Sequence, residues 1–365
     1  VTTEINASDH QAVLQTATRY AVLDACRFIL AFVVVTAHVG VIPLFAGADT
    51  SVWIVRIISH GFKMIVYGMP AVICFFVISG FCIHLPFRDA SRIPVGRFYA
   101  RRYIRIMIPV LMALGINRLL GERQALFGAE SFFWDSVLWS LLCEEIYYAV
   151  YPALWWCRRK LGWVVILPVA FAAGAITALA HFHWEGWHTF GPIRTAVILY
   201  PVWLLGCLLA EQTNRLTASA SSWEIWRWRG TVWVAGWVCL VLNFKFGVHF
   251  TQTMLWFGIL AFFWIRKELA HSLRRPPVAA LVSAGAWSYS LYLVHVPAII
   301  IYTRLLLPSF GPIVDWCMLI GFVLAFAYVF YVVVELPSHR LARRVGARNY
   351  HEPKPARHVL TDLNS

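Results

Sequence analysis

The chain has 365 residues, 60% of them hydrophobic and 13% charged, with a formal net charge of +13. A soluble domain carries about 25% charged residues, so the composition excludes an ordinary soluble enzyme and predicts an all-α, polytopic integral membrane protein. The Lys and Arg lie in short segments between apolar runs, which reads as membrane topology and not as a nucleic-acid surface.

The first residues, VTTEINASDHQ, lack the basic start of a secretory signal and are expected to form a cytoplasmic tail over 1–22. A window of about 19 residues then finds ten candidate spans. They run over 23–44, 62–86, 103–120, 135–157, 161–182, 193–211, 231–246, 249–266, 284–307 and 312–336. The seventh and eighth are short and parted only by a turn at Lys245 to Gly247. With the N-terminus inside, 23 of the 31 Lys and Arg fall in cytoplasmic segments and 7 on the other side. That bias predicts ten transmembrane helices with both termini cytoplasmic. The membrane domain covers 23–337, and 338–365 is expected to be a basic cytoplasmic tail that meets the membrane surface. No internal repeat of the kind built into secondary transporters is found.

Ionisable residues inside apolar spans are costly and default to function. Taken in chain order, the first are Arg27 and His38 in RFILAFVVVTAHVG. Eleven residues bring the helix back to within about 20° of its starting direction and about 16 Å further along. Both side chains therefore share one face, Arg27 near the cytoplasmic side and His38 beyond the midplane. FFVISGF follows, with Ser79 and Gly80 in the cytoplasmic half of the second span, where glycine permits close backbone approach. HLPFRD, from His84 to Asp89, fits the His-x4-Asp pattern of glycerolipid acyltransferases, but it crosses a proline at a membrane exit and has no phosphate-binding companion.

The third span opens on RRYIRIMIP, where Arg102 and Arg105 are spaced i, i+3 with Arg101 beside them. Their planar, permanently charged forks suit phosphate recognition, and their bland role is positive-inside anchoring. The fourth span holds Glu144 and Glu145 in WSLLCEEIYYAVYP. They point about 100° apart, so one faces a given cavity more easily, and Ser140 shares the face of Glu144. In the ninth span Ser288, Tyr292 and His295 follow i, i+4, i+7 as one polar stripe. Glu335 closes the tenth span, at a depth where it could pair with Arg27. Each group has a structural alternative, an interhelical hydrogen bond or an ion pair. Two His and three Glu at compatible depths nonetheless point to one shared polar cavity. The eight cysteines lie in or beside apolar runs with no metal-ligand spacing, so neither disulfide nor metal is expected.

These blocks, in their order, spacing and sidedness, resemble the acyltransferase-3 family of ten-span membrane proteins: LDACRFILAFVVVTAH, FFVISGF, RRYIRIMIP, WSLLCEEIYYAVYP, SYSLYLVHVP and a final Glu-Leu-Pro. The resemblance implies that His38 and Arg27 are essential and that Arg102 and Arg105 attend acyl-CoA. Members commonly carry Ser-Val-Glu-Glu-Gln-Phe where this chain has Leu-Cys-Glu-Glu-Ile-Tyr, which leaves the role of Glu145 open. It further implies a bacterial inner-membrane enzyme that moves an acetyl or other short acyl group from cytoplasmic acetyl-CoA. The acceptor would be a sugar hydroxyl of a polysaccharide or lipid-linked oligosaccharide, as in exopolysaccharide O-acetylation. In that scheme His38 acts as general base or accepts the acyl group transiently, and Glu144 or Glu145 orients it. The alternative from another class is a proton-coupled transporter or flippase using the same groups as a relay. Oligomeric state stays open.

Overall fold

The computed structural model describes residues 7–46, 51–63, 65–121, 138–184, 187–218, 221–305 and 308–347. Among these there is no strand. The helices are α1 (Ala7–Val39), α2 (Trp53–Lys63), α3 (Gly68–His84), α4 (Val95–Leu119), α5 (Trp139–Leu161), α6 (Trp163–Ala180) and α7 (Trp187–Gln212). They continue as α8 (Ser222–Phe246), α9 (Phe250–Ser272), α10 (Ala279–Gly285), α11 (Ser288–Arg304), α12 (Pro312–Phe330) and α13 (Leu336–Ala347). Each of the ten segments read from hydropathy overlaps at least one of them.

Five stretches are long and apolar enough to cross a membrane: Tyr20–Val39, Gly68–Phe87, Trp163–Ala180, Thr189–Arg215 and Pro312–Val345. α10 and α11, bent by 67° at their junction, meet the same test only as a pair. α4, α5, α8 and α9 have 25, 23, 25 and 23 residues, and about 35 Å of helix suffices for a bilayer core of about 30 Å. Their charged ends and polar faces make them less apolar.

Local chemistry sets several ends. Ser221 caps α8 by accepting the Glu224 amide at 3.1 Å, half of a Ser-x-x-Glu capping box. Gly247, at φ 66°, ends α8 in the left-handed conformation, with the Val248 amide returning to Leu242 O at 3.1 Å. This is the turn expected between the seventh and eighth spans, although both helices are longer than their apolar runs. α2, an eleven-residue helix with Ile54, Ile57 and Ile58 exposed, was not legible as a span because it is too short.

Small residues let the central helices touch. Gly80 of α3 and Gly206 of α7 each abut the other helix's backbone, Gly80 at Trp203 and Gly206 at Val77. A β-carbon at either would collide with a carbonyl. Gly285 meets Asp24 of α1 in the same way. Around the α3–α7 crossing lie Trp203, Tyr147 and Tyr151, all buried.

Helices run across two of the expected boundaries. Helix α1 begins at Ala7, inside the expected 1–22 tail; of that tail, residues 1–6 lie outside the described residues. The last long helix does not stop at 337: α12 passes through a π-helical turn, Tyr331–Glu335, into α13, which packs on α4. The remainder of the expected basic tail, 348–365, also lies outside the described residues. The extra residue per turn in a π segment re-aims side chains, and here it delivers Glu335 to the start of α11.

Candidate active site

A cavity of about 80 Å³ lies between α1, α3, α5 and α11. Arg27, Ser79 and Glu144 line it, with Ser140 and Tyr292 at the α5–α11 contact. Phe75 and Phe76 form an apolar wall. The four-residue spacings of Ser140 with Glu144 and Ser288 with Tyr292 thus do bring these side chains to one place. Ser140 and Tyr292 join α5 to α11 through hydroxyls 2.7 Å apart. Ser79 bonds to the Tyr148 hydroxyl at 3.0 Å and accepts Trp203 Nε1 at 3.2 Å.

Of the two adjacent glutamates, Glu144 lines the cavity and Glu145 does not. One Glu145 carboxylate oxygen is buried with no hydrogen-bond partner among the described residues. Gly80, next to Ser79, is taken up by the α3–α7 crossing and offers no open backbone to a ligand.

His38 and His295 form a pair, their ring centroids 4.9 Å apart and the planes at 60°. His38 Nδ1 bonds to Val34 O at 2.8 Å, and His295 Nδ1 to Tyr292 O at 2.7 Å. A carbonyl only accepts, so each Nδ1 is the protonated nitrogen and each neutral ring keeps its Nε2 lone pair. His38 is exposed, whereas His295 is fully buried with Nε2 unpaired. No carboxylate among the described residues lies within 4.0 Å of either ring, which corrects the expected orientation of His38 by Glu144 or Glu145. The orienting group is the Val34 carbonyl. The pair joins the Arg27 cavity through Tyr292, whose ring centroid is 6.1 Å from that of His295.

The expected Arg27–Glu335 ion pair is also corrected. Arg27 contacts Asp24, one turn back on α1, at 3.5 Å. Glu335 instead accepts Ser290 N at 3.1 Å and Ser290 Oγ at 2.5 Å, satisfying the first turn of α11. Arg105 Nε donates to His339 Nε2 at 2.9 Å, and that nitrogen is 3.3 Å from Glu335 Oε1. Arg102 lies over the Tyr148 ring at 5.3 Å, while Arg101 is exposed. The i, i+3 pair therefore turns inward and Arg101 outward.

Two residues escaped the sequence reading. Tyr148 links Ser79 to Arg102, and His339 links Arg105 to Glu335. Each stands four residues after a glutamate already singled out, so the same-face spacing that found Ser140 would have found them. HLPFRD forms no site: His84 bonds to Tyr151 at 3.1 Å and Glu211 at 2.9 Å, whereas Asp89 is exposed and paired with Arg88.

The model of the acyltransferase-3 family, described as an acyltransferase domain, matches residues 20–332. No curated protein and no solved structure matches the chain.

Proposed function

Since the chain belongs to the acyltransferase-3 family, we propose that it is a multi-pass membrane O-acyltransferase that moves a short acyl group from acyl-CoA to a sugar hydroxyl. The family and the membrane-length helices carry the class; donor, acceptor and direction are our reading. Acetyl-CoA is the donor, approaching from the cytoplasmic side of a bacterial inner membrane. A polysaccharide or lipid-linked oligosaccharide presented at the opposite face is the acceptor, with exopolysaccharide the leading case. The ten long helices are read as ten spans with both termini inside.

The observation that carries this reading is the histidine pair. His38, exposed and with its Nδ1 proton held by Val34, has Nε2 available to take the proton of an incoming hydroxyl as the oxygen attacks the thioester carbonyl. Its neighbour His295 has an equally unpaired Nε2 and packs beside Tyr292, which lines the Arg27 cavity, so it can share that proton. Arg27 lies about 16 Å back along α1, too far to touch the reacting carbonyl. We assign it, with Arg102 and Arg105, to holding the donor. The thiolate of CoA leaves towards this arginine-rich side.

The Arg27 cavity is too small for a sugar. Sites for drug-sized ligands measure about 300–1,000 Å³, and the Arg27 cavity measures about 80 Å³. In our reading the acceptor therefore meets His38 from its exposed side.

The test is purified protein in lipid nanodiscs with labelled acetyl-CoA and the envelope glycan as acceptor. Label in the glycan, dependent on the protein, supports the reading. Movement of glycan or protons with acetyl-CoA left intact would support the transporter alternative instead.

A further inference from the structure

A second and much larger cavity, about 470 Å³, runs along the other side of α1, between α1, α3, α8, α9 and α10. Along α1 its lining extends from Val22 to Val33, and along α8 from Trp226 to Trp237. Each stretch advances eleven residues, about 16 Å, which is half of a bilayer core of about 30 Å. Its length is therefore that of one leaflet. Most of the wall is apolar, including Ile29, Leu30, Trp233 and Trp237.

The charged groups gather at one end, and Tyr67 lines the other. Glu268 there is buried and accepts Arg229 Nε at 2.7 Å, Arg229 Nη2 at 2.9 Å and Trp264 Nε1 at 2.9 Å. Those three hydrogen bonds occupy the carboxylate, whose charge neutralises Arg229. Arg275, at the same end, is exposed, bonds to Ser222 Oγ at 2.5 Å, and has no carboxylate within 4.0 Å among the described residues. The rim is left with an uncompensated cation beside an apolar slot.

We propose that this groove holds one anionic phospholipid from the leaflet on the arginine-rich side, its phosphate at Arg275 and one acyl chain along α1 and α8. The rim charge selects an anionic over a zwitterionic head. Leaflet length selects a phospholipid chain over a polyprenyl chain, which is longer than the slot. Acyl-CoA is a poor match because α1 itself separates the groove from the Arg27 cavity: Cys26 faces the groove and Arg27 the cavity. Neighbouring residues of one helix thus serve two sites, and the bound lipid would brace the helix that carries Arg27 and His38.

Native mass spectrometry of the full chain, with added phosphatidylglycerol or phosphatidylcholine of equal chain length, tests this. One phosphatidylglycerol should persist on the wild type. Arg275→Glu, which reverses a charge worth about 1 kcal/mol near a lipid surface, should weaken it about tenfold or more. Ile29→Trp, which narrows the slot without touching the rim, should weaken both lipids. Equal retention of the two lipids, no effect of either variant, a polyprenyl phosphate held in place of the phospholipid, or a lipid-free dimer would overturn the proposal. Because the readout is lipid mass, failure here leaves the acyl-transfer reading untouched, and failure of that reading leaves this one standing.

Discussion

Ser140 Oγ and Tyr292 Oη are 2.7 Å apart and buried, tying α5 to α11 where the Arg27 cavity meets the histidine pair. A hydroxyl pair of this kind contributes about 0.5–1.5 kcal/mol, and removing one partner strands the other at a cost of about 1–3 kcal/mol. Tyr292→Phe and Ser140→Ala are each predicted to lower thermal stability. The double variant should lose less than the sum, as measured by a double-mutant cycle on melting in nanodiscs. Strict additivity would mean that the two hydroxyls do not interact.

Glu335→Ala should destabilise the protein by about 1–3 kcal/mol, because the Ser290 amide and hydroxyl lose their shared acceptor. Glu335→Gln retains a side-chain oxygen and should recover part of that loss. Melting curves separate the two. If instead Glu335→Gln lost all transfer activity at full stability, the carboxylate would have a chemical role beyond holding α11.

Gly80→Ala should lower folded yield or melting temperature sharply, since its β-carbon would meet the Trp203 backbone, and neither helix can give way without unpacking the α3–α7 crossing. Gly206→Ala should behave alike from the other side. A stable Gly80→Ala protein with weakened acyl-CoA binding would instead make Gly80 part of the donor site.

Periodicity made much of this arrangement legible in the sequence. The stripes Ser140–Glu144 and Ser288–Tyr292–His295, and the shared face of Arg27 and His38, follow from 3.6 residues per turn, and all of them turn towards the interhelical polar region, where His38 packs on His295 while staying exposed on its other side. What one chain's periodicity cannot encode is the rotation of each helix against its neighbours. That rotation decides that Glu144 and not Glu145 lines the cavity, and that Glu335 meets Ser290 and not Arg27. The π turn at Tyr331–Glu335 adds a local shift that a regular helix pattern does not contain. Gly80 was ambiguous for a simpler reason: a small residue admits a ligand or another helix equally well.

Arg102→Ala and Arg105→Ala should raise the KM for acetyl-CoA more than that for the glycan, with Arg101→Ala, on the exposed face, having the smaller effect. Arg105→Ala also removes the hydrogen bond to His339, so its melting temperature must be measured alongside. Equal KM changes for both substrates would reduce the pair to membrane anchoring.

The most direct measurement compares acetyl transfer by wild type, His38→Ala and His295→Ala at matched folded amounts in nanodiscs. His38→Ala should lose transfer by at least a general base's share, about 10²–10⁴-fold, while still binding acetyl-CoA, and His295→Ala should retain part of the rate. Near wild-type transfer by folded His38→Ala would contradict the assignment of that imidazole as the base.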